Sequence, residues 1–370
     1  MKKSVAISFL GNIYYDTRTY NLFHSLKNYN HNVVFYGFDW HSDNFKTIKS
    51  DGIYVRKLSK SFPSFLFYLK FNIILFFDLL FSKSQIFVAA DFYALPMSVL
   101  VGKLKRKRVF YDSREIYTEL PALNNRPRLR KLFKVLERFF IKNVDKIFTT
   151  GEMDSDYLIK LYNCKKPYLL RNFPLLQTEI TPFNLYEKYD IPASGKILLY
   201  QGIVVKGRGF ETCFKALQKN NALWFVVLGG GEDIEHYKNL ADEMGISSRV
   251  VFSGKITQKE LLNYTAGALA GISIIDDISI NNHYALPNKM FEYIKSGVPV
   301  IASNLPQMEK IILNYRVGGL ITAGDEHKLL VLIDQWSVDS VYKSLKANCA
   351  AAARILNWEN EFKKISFLFD

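Results

Sequence analysis

Short, uninterrupted apolar runs recur along the chain, separated by helix-length segments, and they do so in two series. The first comprises VAISFL (5–10), VVFYGF (33–38), IYVRKL (53–58), IFVAA (86–90), RVFYDS (108–113) and KIFTT (146–150), with helical segments between them at 18–28, 63–81, 93–104 and 127–142. Strands covered on both faces read as continuous apolar runs, and strands alternating with helices build parallel sheets. Arg171-Asn172-Phe173-Pro174 ends this series, and Pro182 and Pro192 punctuate a loop-like stretch. A second series follows: KILLYQG (196–202), LWFVVLGGG (223–231), RVVFSG (249–254), AGISII (270–275), PVIAS (299–303) and GGLI (318–321). The pattern predicts an α/β protein of two Rossmann-like, doubly wound parallel-sheet domains facing a central cleft. The expected bounds are 1–172 and 173–345, with a C-terminal helix at 346–370, part of an amphipathic stretch over 341–368, crossing back to the first domain. Ligands of such sheets bind at the carboxyl ends of the strands. At 370 residues and 49% hydrophobic, the chain has apolar material for two cores.

Charge is distributed unevenly. Residues 1–172 carry 29 Lys and Arg against 14 Asp and Glu, while residues 173–370 carry 20 against 21, so the whole surplus of +14 sits in the first half. A basic first domain points to an anionic partner. Lys103–Arg108 has five cations in six residues, and Arg126–Lys142 has seven with Glu137 as its one acid. Leu129, Leu132, Phe133, Leu136, Phe139 and Phe140 give the second segment helical apolar spacing. Docking on an anionic membrane surface is one expectation; a solvated helix back with its apolar face on the sheet is the other. Nothing resembles a helix-turn-helix, RNA-recognition or zinc-finger pattern, so a nucleic-acid partner is not expected. The stretch 62–81 is apolar but contains Pro63, Lys70, Asn72 and Asp78, and reads as a helix packed on a sheet rather than a membrane span. Val5–Leu10 is too short for a signal-peptide core, and Cys164, Cys213 and Cys349 form no metal or disulfide pattern. The expected location is the cytoplasm, peripheral to the inner face of the cell membrane.

Two segments carry chemistry. Gln201-Gly202-Ile203-Val204-Val205-Lys206-Gly207-Arg208-Gly209-Phe210 follows a strand and opens a helix. Glycines such as Gly202 and Gly209 let backbone amides approach a ligand, and a helix N-terminus favours an anion. Lys206 and Arg208 add positive charge, so a diphosphate fits, although neither GxxxxGK[ST] nor GxGxxG is present. A glycine-rich turn with solvated cations is the plainer alternative. The second segment runs from Asn281 through Tyr284, Asn288, Lys289 and Glu292 to Gly297. Asn288 is expected to N-cap a helix carrying Glu292, packed on the sheet by Met290, Phe291 and Ile294 and ended by Gly297. Taken alone, a carboxylate there is an ordinary helix-stabilising choice.

The segment LPNKMFEYIKSGVPVIAS closely resembles the nucleotide-sugar signature of GT-B glycosyltransferases of family 4, the glycosyl transferases group 1 type. Weaker pieces agree in order along nearly the whole chain: Asp16-Thr17-Arg18, YDSREIY (111–117), YQGIVVKGRGFETCFKAL (200–217), FVVLGGGED (225–233) and SGKITQKELLNYTAGALAGIS (253–273). The resemblance implies a glycosyltransferase moving a sugar from a nucleotide-diphosphate donor to a lipid-linked or cell-envelope glycan, retaining, with the nucleotide sugar as substrate and neither cofactor nor metal. It implies that Glu292 accepts hydrogen bonds from the donor ribose, that Arg208, with Lys206 beside it, grips the diphosphate, and that Lys289 adds a further positive contact. Asn288 belongs to the same signature loop. Lys255 and Ile256, after Gly254, match the border of the base, and Gly11 and Asn12 the loop that approaches the acceptor and the phosphates. Asp16 and Glu115 are candidate acceptor-side carboxylates.

Two positions depart from the family. Its first signature glutamate falls at Tyr284, and its first-domain histidine falls at Arg114. Both help to hold the sugar, so Tyr284, Asn282, Arg114 or Glu115 takes over that task for a different sugar, or activity is impaired. A nucleotide-sugar epimerase or hydrolase of the same fold, and a non-catalytic glycosyltransferase-like partner protein, are the competing readings.

Overall fold

The apolar runs form strands with bounds within a few residues of those expected. The computed structural model describes residues 2–40, 47–59, 64–176 and 179–370. Phe62 and Pro63 of the long apolar stretch lie outside the described residues. The chain divides into two units: Met1–Asn172 with Ser279–Asn281 and Trp358–Asp370, and Phe173–Ile278 with Asn282–Asn357.

Unit 1 holds β1 (Ser4–Ser8), β2 (Asn32–Asp39), β3 (Ile48–Ser50), β4 (Ile53–Lys57), β5 (Ile86–Ala89), β6 (Arg108–Ser113), β7 (Lys146–Thr149) and β8 (Tyr168–Leu169). They form one sheet in the order β3-β4-β2-β1-β5-β6-β7-β8, parallel except for β3 against β4. Its helices are α1 (Thr17–Asn28), α2 (Ser64–Phe81), α3 (Leu95–Leu104), α4 (Pro127–Ile141) and α5 (Glu152–Tyr162). Leu22 and Phe23 of α1 pack on one face of the sheet with Trp358 and Phe362. Phe71 and Leu75 of α2, Val99 of α3, Ile141 of α4 and Leu158 of α5 pack on the other. β3 and β8 were not expected, because three and two residues carry no apolar run to read.

Unit 2 opens with α6 (Leu185–Lys188) and holds β9 (Lys196–Gln201), β10 (Leu223–Leu228), β11 (Val250–Gly254), β12 (Ala270–Ser273), β13 (Val300–Ser303) and β14 (Gly318–Ile321), all parallel, in the order β11-β10-β9-β12-β13-β14. Between and after them run α7 (Phe210–Lys219), α8 (Ile234–Glu243), α9 (Gln258–Thr265), α10 (Ile280–His283, of which Ile280 and Asn281 count to unit 1), α11 (Asn288–Lys295), α12 (Pro306–Tyr315), α13 (Glu326–Trp336) and α14 (Asp339–Ala353). Strand order reverses between β1 and β5 in unit 1 and between β9 and β12 in unit 2. The carboxyl ends of those strands are where open sheets bind ligands.

The single helix expected over 341–368 is interrupted. α14 stops at Ala353, and α15 (Trp358–Lys363) and a 3₁₀ turn (Ser366–Phe369) follow. Trp358 is fully buried in the unit 1 core, and its indole Nε1 donates to Ser25 Oγ at 2.7 Å. Glu361, also buried, accepts from Arg171 Nη1 at 3.0 Å.

Glu137 of α4 is buried beneath the helix, where its two carboxylate oxygens accept the hydroxyls of Tyr111 and Tyr162, each at 2.7 Å. Burial outweighs these bonds and pushes its carboxyl up to about 7. A carboxyl whose pKa rises on folding stabilises the fold at low pH, and that contribution fades as pH climbs through the folded value. Thermal stability is therefore expected to fall from about pH 4.5, the ordinary carboxyl value, to about pH 7, the folded value, and to level off above it. Glu137→Gln should flatten that slope in melting curves; an unchanged slope would place the titration elsewhere.

Candidate functional site

At the carboxyl end of β9 the chain turns through Gly202 with φ of 118°, a conformation that glycine adopts without strain. The turn runs beside the one after β10: Gly202 N donates to Leu228 O at 2.9 Å and Val204 N to Gly230 O at 3.0 Å. A Cβ on Gly229 would lie 1.8 Å from Gly202 O, and one on Gly231 would lie 2.0 Å from Val204 O. The run of three glycines thus lets two strand-end loops touch backbone to backbone.

Glu292 lies on α11, whose apolar residues Met290, Phe291 and Ile294 are buried against the sheet. The helix begins differently from expectation: Pro287 is its N-cap, with no side-chain capping bond, and Asn288 is an exposed first helical residue. Pro287 has the fixed φ and extended backbone of a cap, which shifts Asn288 one residue into the helix. The Glu292 carboxylate accepts from Gln201 Nε2, and from Gln258 Nε2 of α9 at 3.5 Å. Gln201 is 1% exposed and is fixed from behind, where its Oε1 accepts from Thr265 Oγ1 at 2.7 Å. Burial raises the Glu292 carboxyl above the ordinary range, against the pull of Gln201, Gln258 and Lys289.

Lys289 and Arg208 face the same place. Lys289 Nζ sits 3.6 Å from the centroid of the Tyr200 ring and 3.7 Å from where a Cβ on Gly202 would be. Desolvation, and then the Arg208 charge, push the ammonium well below its usual pKa, while Glu292 acts in the opposite sense. Among the described residues neither Lys289 nor Arg208 forms an ion pair with a carboxylate of the chain. Two cations held close together in this way make a site for an anion. Gly209, at φ of 79°, leads into α7, whose free amides face the same loop end. Lys206 is exposed, and its amide donates to Asp233 Oδ2 at 2.9 Å. Lys255 is exposed, with its Cε 3.1 Å from a Cβ position on Gly230, while Ile256 packs on the core that holds Phe291. Tyr284 is half-buried and its carbonyl accepts from Gln307 Nε2.

The unit 1 candidates follow the carboxyl ends of β1 and β6. Gly11 is held by its carbonyl, which accepts from Phe38 N at 2.9 Å, and by the Phe9 ring, 2.3 Å from where a Cβ would be. Asn12 is buried; its Nδ2 donates to Asp39 Oδ2 at 2.8 Å and its Oδ1 accepts from Tyr14 N. Asp16 caps α1 by accepting from Thr19 N at 2.7 Å, and both of its carboxylate oxygens lie 2.8 Å from Arg114 Nη1. Burial would raise its pKa, but Arg114 and Thr19 more than offset this and hold it below the ordinary value. Arg114 also reaches Asp112 Oδ2 at 3.3 Å and Thr19 Oγ1, and stacks 4.7 Å above the Phe9 ring. All three of its guanidinium nitrogens are engaged by groups of unit 1. Glu115 is exposed.

Gln201, Tyr200 and Gln258 lie in segments singled out by the sequence, but no role is assigned to them there. The signal for Gln201 was a polar residue closing an otherwise apolar strand; its pairing with Glu292 spans 91 residues and becomes visible only in the fold.

Residues 184–355 match the family model described as Glycosyl transferases group 1. A curated relative is the lipopolysaccharide core biosynthesis glycosyltransferase LpsE of Rhizobium meliloti, 25% identical over 153 residues, which are 41% of this chain and 43% of that protein. The match thus spans less than half of the relative's length. Among solved structures, sucrose-phosphate synthase from Thermosynechococcus elongatus superposes with a TM-score of 0.81 at 17% identity, covering 100% of this chain and 98% of that one. Anabaena HepE, solved in complex with UDP, superposes with a TM-score of 0.74 at 14% identity, covering 99% of each chain.

Proposed function

We propose that this chain, which has the GT-B fold and matches the glycosyl transferases group 1 model over residues 184–355, transfers a sugar from a nucleotide-diphosphate donor to a glycan of the cell envelope. The observation that carries this reading is the convergence of Glu292, Lys289 and Arg208 at the carboxyl end of β9, with Gln201 holding the carboxylate in place. A carboxylate facing vicinal ribose hydroxyls, beside two unpaired cations and a helix N-terminus, has the chemistry of a nucleoside diphosphate site. The name of LpsE points to an envelope glycan as the acceptor class, and the UDP in the HepE structure points to a nucleotide donor.

In this mechanism the bond from the anomeric carbon to the diphosphate breaks while an acceptor oxygen attacks the same face. Attack on that face gives retention, and the acceptor proton passes to the departing phosphate oxygen. Charge on the leaving group is met by Arg208, Lys206, Lys289 and the amides from Gly202 to Gly209, without a metal. Asn288, Lys255 and Ile256 border the nucleotide; Gly11, Asn12, Asp16 and Glu115 are assigned to the acceptor. Arg114, bound to Asp16, acts as its positioning residue, and Tyr284 replaces the family glutamate beside the sugar.

Thermal-shift titration against nucleoside diphosphates and their sugars tests the donor half. A ligand at 100 times its Kd adds about 2.7 kcal/mol of stability. Glu292→Gln should weaken the preferred ligand by roughly tenfold to a hundredfold, the scale of a hydrogen bond to a charged group. No shift with any nucleotide would refute the reading. Release of free sugar without transfer to added glycan would make the protein a hydrolase, and loss of transfer in EDTA would remove the metal-free mechanism.

A further inference from the structure

α2, α3 and α4 cover one face of the unit 1 sheet, with α3 in contact with both of the others. Their inward side chains fill the core, yet their outward faces are also apolar. α2 exposes Phe65, Leu69, Ile73, Phe77 and Phe81, one residue per turn along its whole length. α3 exposes Leu100 and Leu104. On α4 the exposed apolar residues are Leu132, Val135, Leu136 and Phe139, spaced as one helical stripe, while Leu129, Phe133 and Phe140 are half-buried, so part of its apolar face turns outward. Phe81 is 77% exposed and Phe139 63%. A helix of an ordinary domain turns polar residues outward, and apolar surface shared by three adjoining helices marks a face that something covers.

Charge identifies the occupant. The three helices carry seven Lys and Arg and only two acids. Both acids are engaged: Asp78 pairs with Arg56, and Glu137 is buried between Tyr111 and Tyr162. Beyond the ends of α2 and α3, Lys83 and Lys107 join Lys2 and Lys3 around a depression of about 410 Å³. Among the described residues none of these four lysines forms an ion pair. A second copy of the chain would bring like charge to the contact, and a nucleic acid would leave the apolar stripes in water. An anionic bilayer satisfies both features: acyl chains meet the stripes and headgroup phosphates meet the cations. No helix among the described residues is long and apolar enough to cross a membrane.

We propose that the outer faces of α2, α3 and α4, with the lysine depression beside them, form a docking surface on which unit 1 lies against an anionic lipid bilayer. The test is sedimentation of the full chain with vesicles of phosphatidylcholine alone and of phosphatidylcholine mixed with phosphatidylglycerol. Binding is expected to the mixed vesicles, to weaken with salt, and to be at least roughly tenfold weaker on the neutral ones. The double change Phe77→Ser with Phe139→Ser, at exposed positions, should abolish it while leaving the melting temperature unchanged or raised. Lys83→Ser with Lys107→Ser should weaken it in the mixed vesicles alone. Equal binding to both vesicle types, or wild-type binding by the serine variants, would overturn the proposal. So would a dimer in light scattering that the Phe changes dissolve while vesicles stay unbound. Nucleotide thermal shifts on the same variants are read separately, so failure to dock and failure as a transferase are distinguishable.

Discussion

Alanine at Arg208 is expected to lower turnover on the order of 10²–10³-fold at saturating donor, the scale of removing one preorganised donor from a developing charge. The guanidinium lies on the loop between β9 and α7, is half-buried, and is close enough to Lys289 to depress that lysine's pKa. Two like charges kept together without a partnering carboxylate cost stability in the free protein. That cost is released as negative charge builds on the diphosphate, so the loss should fall mainly on kcat rather than on KM. Arg208→Lys should recover part of the rate, because it keeps the charge but not the planar fork. Lys206→Ala should cost less, since that side chain is exposed. Full turnover in Arg208→Ala would place the phosphates elsewhere.

Arg18→Ala should be the most damaging of the single changes away from the nucleotide residues. Arg18 is 3% exposed and grips Asp112, itself 0% exposed, through two nitrogens, while its Nη1 donates to the Leu170 carbonyl. Removing the arginine strands a buried carboxylate with only Arg114 Nε at 3.3 Å. Breaking a buried pair from one side costs about 3–5 kcal/mol. For a unit of this size that is roughly 6–20 °C in melting temperature. Calorimetry reads the shift, and a drop below about 1 kcal/mol would mean that the carboxylate finds water instead. Nucleotide binding by unit 2 should survive below the new transition.

The architecture was legible because parallel strands buried on both faces carry their own label. Val5–Ile7, Ile197–Leu199 and Val300–Ala302 are continuous apolar runs, and all are fully buried. Elements outside that rule were not legible. β3 is an edge strand of sequence Ile-Lys-Ser, and the break between α14 and α15 leaves no mark in the amphipathic pattern. Glu292 and Arg208 stood out because they lie in motifs. Gln201 opens the same motif as Arg208, yet its role did not show, since holding a carboxylate 91 residues away is a long-range task. The outward stripe on α4 was visible as spacing, but spacing alone does not say which way a helix turns its apolar side.

Unit 1 is assembled from Met1–Asn172 and, much later in the chain, Trp358–Asp370. During translation its amino-terminal part emerges well before Trp358, the side chain that completes one of its cores. At ordinary ribosomal speeds the delay is about ten to forty seconds. Through that interval the nascent chain exposes the pocket that Trp358 and Phe362 will fill, so unit 1 closes its core only after the intervening unit 2 has been synthesised.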